Sequence, residues 1–357
     1  MNYKAFVHRL LEWYPHNKRD LPWRNTQDPY IIWLSEIILQ QTRVAQGLPY
    51  FENFLKNYPN VNDLAKAPTE EVMRLWQGLG YYSRARNLHQ CAKDIMERYQ
   101  GEFPNHYEGL LELKGVGSYT AAAIASFAYD EKVAVVDGNV FRVLSRYFGI
   151  ATDIASSSGK KEFETLANKL IPKENPGEYN QAIMEFGALQ CGPKNPDCEN
   201  CPLKTGCFAQ NNQMVEKLPV KINKLKIKER HFRYSYIICG NELIIKKRGE
   251  GDIWQDLYDF PLEESDKKFY SDPEDIHFTN ELKDFVTNIV CNSENTYKHI
   301  LTHQRIFANF VRFNINENFR QELKNWADKY GFQLISEENF ENLAKPKLIS
   351  RFLNDEK

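Results

Sequence analysis

The first two hundred residues carry apolar side chains at helical spacing. From Tyr3 to Tyr14 they recur every three or four positions, and Pro15 is expected to end that helix. Asp28 followed by Pro29 is typical of an N-cap with proline at the first helical position, which predicts a helix from Tyr30 to about Thr42. The same spacing predicts further helices at 48–58, 69–78, 83–99, 119–129, 140–148, 161–170 and 179–189.

Beyond Phe232 the pattern becomes strand-like. Segments 234–239 and 243–247 flank Gly240-Asn241, which is typical of a β-hairpin. Helices are predicted at 281–290 and 319–330, and strands at 299–303 and 306–315. This mixture predicts an α+β domain after a mostly α-helical part.

The composition changes between the two parts. Lysine and arginine dominate from Glu216 to Arg233, with Pro219 and no clear period. Such a segment is typical of a solvated linker, and its charge is also suited to a DNA backbone. We therefore divide the chain into a helical region at 1–212, a basic linker at 213–231 and an α+β domain at 232–357.

Composition excludes a disordered protein. The 357 residues are 42% hydrophobic and include 22 Phe and 19 Tyr, enough for about two domains with cores of their own. The net charge of −2 means that any nucleic-acid binding must use local basic patches.

No apolar run approaches the ~20 residues of a membrane helix, and the first twenty residues lack the apolar core of a signal peptide. We expect a cytoplasmic protein that contacts no membrane.

Glu36 is a carboxyl group on an almost wholly apolar helix, on the same face as Ile32, Trp33 and Leu39. One interpretation is a glutamate paired with a buried Arg or Lys. The other is a carboxyl group whose pKa is raised by desolvation, so that it stays protonated and acts as an acid.

A glycine turn and a second carboxylate lie further along the chain. Gly115-Val116-Gly117 precedes the Ala-rich helix at 119–129, so its backbone N–H groups are suited to a phosphate. Asp137 lies next to Gly138-Asn139 at the start of another helix. A phosphate clamp followed by a carboxylate suggests an enzyme that acts on nucleic acid.

Two polar or aromatic segments are candidates for DNA contacts. Gln41 and Thr42 lie in the polar end of the Glu36 helix, where they are suited to base edges or phosphates. The segment from Gly78 to Arg86 holds Leu79, Tyr81 and Arg84 between and after glycines. One interpretation is a wedge that inserts into the DNA duplex, followed by arginines that bind phosphate. An equally good interpretation is a turn between two helices whose aromatic side chains belong to the core.

Four of the seven cysteines lie within seventeen residues, at Cys191, Cys198, Cys201 and Cys207. In a reducing compartment this spacing favours a metal centre over disulfides. Spacing alone does not separate a zinc site from an iron–sulfur cluster.

These motifs together resemble the MutY family of adenine DNA glycosylases, within the helix-hairpin-helix DNA glycosylases. The resemblance covers nearly the whole chain and is carried by six segments in the same order: Leu21-Pro22-Trp23-Arg24, Ser35 to Val44, Gly78 to Arg84, Leu113 to Thr120, Val136 to Val140, and the four cysteines. It implies a helical glycosylase region, a Nudix-like C-terminal domain, and a [4Fe–4S] cluster on the four cysteines.

The resemblance implies base excision repair of double-stranded DNA containing A:8-oxoguanine or A:G, by a monomeric and nucleoid-associated enzyme. The adenine is flipped out of the duplex. Glu36 then protonates its N7, and Asp137 stabilises the oxocarbenium-like sugar, as in a retaining glycosidase. Tyr119 and Asn139 support the sugar and the carboxylates, and Arg24 lies near the adenine.

Tyr119 stands where related bifunctional enzymes such as endonuclease III carry a lysine nucleophile. A tyrosine cannot form a Schiff base, so the resemblance implies base removal without strand cleavage.

The implied substrate and DNA contacts come from both parts of the chain. In the C-terminal domain, Leu301-Thr302-His303 aligns with the family's loop that reads 8-oxoguanine. The segment after Pro261 lacks the metal-binding box of active Nudix hydrolases, so pyrophosphohydrolase activity is not expected. The full set of expected contacts is Arg24, Gln41, Thr42, Leu79, Tyr81, Arg84, Gly115, Gly117, Gln181, Thr302 and His303.

Three alternatives compete with this interpretation. An endonuclease III-like glycosylase/AP lyase for oxidised pyrimidines shares the hairpin and the cysteines, but Tyr119 opposes it. A non-catalytic iron–sulfur DNA-binding protein is opposed by the presence of both Glu36 and Asp137. A nucleotide pyrophosphohydrolase with a helical appendage is opposed by the missing metal-binding box.

Overall fold

The computed structural model describes residues 3–222, 227–269, 279–291 and 296–356, with side chains for all of these except 279, 280 and 291. Within these residues the helices are α1 (Tyr3–Asn17), α2 (Pro29–Leu39), α3 (Val44–Asn57), α4 (Val61–Lys66), α5 (Thr69–Leu75), α6 (Ser83–Tyr99), α7 (Tyr107–Leu111), α8 (Ser118–Tyr129), α9 (Gly138–Phe148), α10 (Ser157–Leu170), α11 (Pro176–Leu189), α12 (Phe208–Asn211), α13 (Thr279–Leu282), α14 (Arg320–Lys329), α15 (Glu337–Glu341) and α16 (Lys347–Glu356).

The strands are β1 (Lys228–Cys239), β2 (Glu242–Lys247), β3 (Tyr258–Asp259), β4 (Leu262–Ser265), β5 (Val286–Cys291), β6 (Tyr297–Ile300), β7 (Gln304–Ile315) and β8 (Gln333–Ser336). The fold is therefore a helical N-terminal part and an α+β C-terminal domain, which confirms the predicted fold class. Of the helices in the described residues, none is long and apolar enough to cross a membrane.

The chain packs into two compact units that are not contiguous in sequence. The first contains Met1–Lys66 and Asn87–Asn223, and the second contains Ala67–Arg86 and Lys224–Lys357. The segment from Ala67 to Arg86, which includes α5 and the glycine-rich turn after it, thus packs with the C-terminal domain. The sequence-based division at 1–212, 213–231 and 232–357 stays a prediction.

The first unit is built on helices whose starts are fixed by side chains. Asp28 accepts a hydrogen bond from the backbone N–H of Tyr30 (2.8 Å) and caps α2. Ser156 caps α10 in the same way through the N–H of Gly159 (3.0 Å). Its main core packs α1, α9, α10 and α11 around Phe6, Leu144 and Phe163, all fully buried.

The second unit is organised by a mixed sheet. The long strands β1 and β7 pair in parallel from Lys228↔Gln304 to Cys239↔Ile315. β2 and β4 pair with β1, β5 and β6 pair with β7, and β3 and β8 pair with β2, all antiparallel. Tyr234 and Phe310, opposite each other on β1 and β7, stack with ring centroids 5.0 Å apart. The predicted hairpin at Gly240-Asn241 is confirmed by β1 and β2.

The predicted ends of α1, α2 and α5 were wrong, and α5 ends at Leu75 rather than at Gly78. α1 continues through Pro15 to Asn17, because a proline in the last turn removes only one backbone hydrogen bond, and the N–H of Lys18 still bonds the carbonyl of Tyr14 (2.9 Å). α2 ends at Leu39 rather than near Thr42, because Gln41 takes a positive φ of 56°.

Two predictions in the C-terminal part were also wrong. Segment 281–290 is not a helix: α13 ends at Leu282, and the β-branched run from Val286 pairs with β7 instead. The strand predicted at 299–303 ends at Ile300, where the N–H of Leu301 bonds the carbonyl of Gln304 (2.9 Å) and closes a turn. Residues 228–231 of the predicted linker belong to β1, and 223–226 lie outside the described residues.

Candidate active site

A cavity of about 190 Å³ in the first unit is lined by all four predicted catalytic residues. α2 supplies Glu36, α8 supplies Tyr119, and the start of α9 supplies Asp137 and Asn139. The predicted contacts that also line it are Arg24, Thr42 and Gln181. Residues more than a hundred positions apart in sequence thus share one small enclosed space.

Glu36 is buried in the wall of this cavity, with 7% of its surface exposed. Its Oε2 accepts a hydrogen bond of 2.6 Å from the hydroxyl of Tyr119. Burial raises the pKa of Glu36 to about 7, the hydrogen bond from Tyr119 works against that rise, and the charge of Asp137 adds to it. Within the described part of the chain no Arg or Lys forms an ion pair with Glu36, so the paired-glutamate interpretation does not hold here.

Tyr119 is a neutral phenol in this setting. Burial, then the charges of Glu36 and Asp137, raise the pKa of Tyr119 well above its ordinary value. The phenol therefore stays protonated and acts as a hydrogen-bond donor to Glu36, and this hydrogen bond stabilises the charged form of Glu36.

Asp137 is held by the start of α9. Its Oδ1 accepts from the backbone N–H groups of Asn139 (2.9 Å) and Val140 (2.8 Å), and its Oδ2 accepts from the Asn139 side-chain amide (2.7 Å). Burial raises the pKa of Asp137 above its ordinary value, whereas these three hydrogen bonds oppose the rise. The carboxylate is thus fixed in position by donors that favour its charged form.

Arg142 holds Asn139 from the other side. Its Nη2 donates to the Asn139 Oδ1 (2.8 Å) and to the carbonyl of Gly187 (2.6 Å), and its Nε donates to the carbonyl of Cys191 (2.7 Å). A Cβ at Gly187 would lie 2.7 Å from the Cβ of Asn139, so only glycine permits α11 to approach α9 this closely. Sequence reasoning missed Arg142; its signal was a cation on α9 one turn after Asn139.

A buried acid between two arginines forms the back wall of the cavity. Glu185, 1% exposed, accepts from the Nε and Nη2 of Arg19 (2.8 and 2.6 Å) and from the Nη1 and Nη2 of Arg24 (2.9 and 2.6 Å). Burial alone would raise the pKa of Glu185, but the hydrogen bonds from Arg19 and Arg24 outweigh it and lower that pKa to about 2. Glu185 and Arg19 were missed in the sequence; an acid on the apolar face of α11 was the available signal.

The glycine turn lies between α7 and α8, outside the cavity lining. Gly115 has a φ of +77°, and a Cβ there would lie 2.7 Å from the Cβ of Asn87. Leu113 and Val116 are buried and anchor the turn, whereas Gly115 and Gly117 are exposed at the N-terminus of α8. Gln41, exposed with a positive φ, is likewise outside the cavity lining.

The remaining predicted contacts belong to the second unit. Tyr81 is 46% exposed, and its hydroxyl hydrogen-bonds the hydroxyl of Thr302. Thr302 and His303 are exposed in the turn between β6 and β7. Tyr81 and Thr302 therefore share one surface of this unit, although 221 positions separate them.

Two expected contacts in the same segment are enclosed instead. Leu79 is 6% exposed, and Arg84 is 9% exposed. The guanidinium of Arg84 lies over the rings of Trp76 (5.0 Å) and Tyr81 (5.7 Å) and donates to the carbonyl of Gly80 (3.3 Å). Burial lowers the pKa of Arg84 to about 10. In this structure Arg84 supports the turn from within, and its role as a DNA contact stays a prediction.

The four clustered cysteines follow α11. Cys191, Cys201 and Cys207 pack against the core of the first unit. Arg146, 3% exposed, places its Nη1 3.4 Å from the Cys191 sulfur and donates to the carbonyl of Gly192 (2.7 Å). Across the residues that the structure covers, no three His, Cys, Asp or Glu side chains converge on a point where a single metal ion would bind.

Two protein-family models match this chain. Residues 34–173 match the family model described as HhH-GPD superfamily base excision DNA repair protein, and residues 233–355 match the model described as NUDIX domain.

Two relatives align over much of the chain. An adenine DNA glycosylase of Buchnera aphidicola subsp. Acyrthosiphon pisum is 32% identical over 354 residues, which is 98% of this chain and 97% of that protein. Another from Buchnera aphidicola subsp. Schizaphis graminum is 38% identical and covers 73% of this chain and 76% of that protein. The structure of a thermostable thymine-DNA glycosylase superposes with a TM-score of 0.54 at 32% identity, over 58% of this chain and 96% of that chain.

The Tyr119–Glu36 hydrogen bond predicts how the Glu36 pKa responds to mutation. Tyr119→Phe removes the donor that stabilises the carboxylate, so the pKa of Glu36 should rise further above 7. Carboxyl ¹³C NMR titration of protein labelled at glutamate measures this directly, with Glu36→Gln identifying the resonance. A pKa unchanged or lowered in Tyr119→Phe would show that the phenol does not stabilise the carboxylate.

Proposed function

The chain belongs to the adenine DNA glycosylase family, and on this basis we propose that it removes adenine paired with 8-oxoguanine or guanine from double-stranded DNA. The reaction is hydrolysis of the N-glycosidic bond, the first step of base excision repair. The observation that carries the proposal is the buried Glu36, with its pKa raised to about 7, in one cavity with the hydrogen-bonded Asp137. Two carboxyl groups in unlike environments suit acid catalysis and charge stabilisation respectively.

Glu36 is the general acid in this proposal. With a pKa of about 7, about half of Glu36 is protonated at neutral pH, and this form transfers its proton to N7 of the flipped adenine, so that the base leaves as a neutral molecule. Tyr119 orients the carboxyl group through its hydrogen bond. Arg24, fixed by Glu185, presents a cation with a defined position to the base.

Asp137 stabilises the positive charge that develops on the deoxyribose. Its oxygens are held by the N–H groups of α9 and the Asn139 amide, so no reorganisation is needed when the charge forms. Water then completes the hydrolysis, in the manner of a retaining glycosidase. Arg142 acts through Asn139 as a positioning residue.

DNA binding uses both units in this proposal, and the enzyme acts as a monomer. In the first unit, the exposed N–H groups around Gly115 and Gly117 at the start of α8 bind a phosphate. In the second unit, Tyr81, Thr302 and His303 form a surface that recognises the base opposite the adenine, supported by the Tyr81–Thr302 contact. Glu263 and Glu264, the acids after Pro261, are engaged in ion pairs with Arg233 and Arg230.

We also assign a [4Fe–4S] cluster to Cys191, Cys198, Cys201 and Cys207. Four thiols on one loop beside the buried cation Arg146 fit a thiolate cluster that carries negative charge. When bound, the cluster would link the four thiolates and fix the loop.

A panel of duplexes tests the function. Purified protein should produce alkali-dependent strand cleavage at adenine in A:8-oxoguanine and A:G duplexes, and not in A:T or thymine-glycol duplexes. Glu36→Gln should lower the single-turnover rate by about 10²- to 10⁴-fold, because the proton donor is lost while the shape is kept. The mutant should still bind the A:8-oxoguanine duplex in a gel-shift assay.

Two results would contradict this assignment. One is cleavage confined to the thymine-glycol duplex, which would favour the endonuclease III-like alternative. The other is a Glu36→Gln protein that turns over at the wild-type rate, which would make Glu36 structural.

The identity of residue 119 predicts a glycosylase without lyase activity. Tyr119 offers a phenol of raised pKa where a Schiff base needs an amine, so borohydride should trap no covalent protein–DNA adduct. A lysine-bearing glycosylase/AP lyase run in parallel provides the positive control on the same gel. A trapped adduct comparable to that control would show that another amine of this chain performs the lyase step.

A further inference from the structure

A second cavity, of about 480 Å³, lies beside the catalytic cavity. The two share Arg24, Phe127 and Gln181 in their linings. Beyond these shared side chains the second cavity is lined by polar residues from the loop before α2, the end of α1 and the start of α11, among them Gln27 and Glu178. The catalytic steps proposed above make no use of it.

The second cavity lies at the ends of α8 and α2 that are far from the glycine turn. Tyr119, in the first turn of α8, lines the catalytic cavity, whereas Phe127 in its last turn lines both cavities. These positions are about 12 Å apart along the helix axis. Gln27 precedes the N-cap of α2, whereas Glu36 lies near its C-terminal end. The second cavity therefore lies at the far ends of α8 and α2 from the glycine turn, which is the side where we propose that DNA binds.

Two of the three shared residues differ in how firmly they are held. Arg24 is fixed by Glu185 and by the carbonyl of Arg19 (3.1 Å). Gln181 is half-buried, and among the described residues its side chain takes part in one hydrogen bond, from the hydroxyl of Tyr14 (2.6 Å). Rotation of Gln181 breaks only that contact, so Gln181 is the less firmly held of the two residues.

The lining of the second cavity suits a neutral polar molecule. Lys18 and Arg24 are balanced by Asp130 and Glu178, and Asn25 and Gln27 add donors and acceptors. A free purine base is neutral and carries donors and acceptors around its edge. An anion such as a phosphate would meet as many acids as bases here.

We infer that the second cavity is the exit site for the excised base, which passes Gln181 while the abasic DNA still covers the other side of the catalytic cavity. The inference rests on the proposed function. Product release limits turnover in many enzymes, and a base enclosed beneath bound DNA needs a route of its own. The exit site takes a free purine, and Gln181 with Tyr14 forms its gate.

Filter binding with radiolabelled adenine tests this inference. Full-length protein in excess is mixed with a duplex carrying labelled adenine opposite 8-oxoguanine, and protein–DNA complexes are trapped on nitrocellulose over time. Acid-quenched samples give total excision, and label in the filtrate gives base that has left the complex. Gln27→Trp and Glu178→Trp place an indole in the second cavity, and Gln90→Trp places one at an exposed position on α6, outside both cavities, as the matched control.

The wild type and Gln90→Trp should release labelled base while the DNA stays on the filter. Gln27→Trp and Glu178→Trp should excise at the wild-type rate yet lose this early release, so that base and DNA leave together. Two results would contradict the assignment of the second cavity as an exit site. In the first, the wild type releases the labelled base only when the DNA dissociates. In the second, both cavity variants still release the base before the DNA dissociates. If the acid-quenched wild-type samples contain no excised base, the proposed function is wrong, and this inference is wrong as well.

Discussion

The site depends on keeping a carboxyl group out of water. Glu36 lies on a helix that is buried along most of its length, and desolvation raises its pKa from 4.5 to about 7. That shift corresponds to a differential interaction on the order of 3 kcal/mol between the two protonation states. One hydrogen bond, from Tyr119, limits the rise and holds the group in place. The apolar packing of α2 is therefore part of the chemistry as well as part of the core.

The other carboxyl groups of the cavity are stabilised by hydrogen-bond donors and cations, which favour their charged forms. Asp137 is half-buried, three donors hold its oxygens, and Arg142 fixes the Asn139 that supplies two of them. Glu185 is surrounded by two guanidinium groups and has a pKa of about 2. Three acids in one small cavity thus lie in three different environments, and each environment has identifiable partner groups. That difference in environment is what allows one to donate a proton and another to stay charged.

The helices that carry the catalytic side chains could be predicted from the sequence, whereas most contacts between distant side chains could not. Asp28-Pro29 located the start of α2, and the apolar spacing around Glu36 indicated its burial, because both signals are local. The Arg19–Glu185 pair spans 166 positions and the Tyr81–Thr302 contact 221, and no local pattern predicts such pairings. Local propensity also failed at 281–290, where pairing with β7 decides the structure. The grouping of Ala67–Arg86 with the C-terminal domain likewise had no signal in the sequence.

The pH dependence of adenine excision tests the central claim most directly. Single-turnover rates on the A:8-oxoguanine duplex would be measured between pH 5.5 and 9, a range that spans the Glu36 pKa of about 7. Because the raised pKa leaves Glu36 protonated below 7 and charged above it, the rate should be level at low pH and fall about tenfold per unit above 7. A rate that stays level or rises through pH 9 would contradict a buried, protonated Glu36 as the acid.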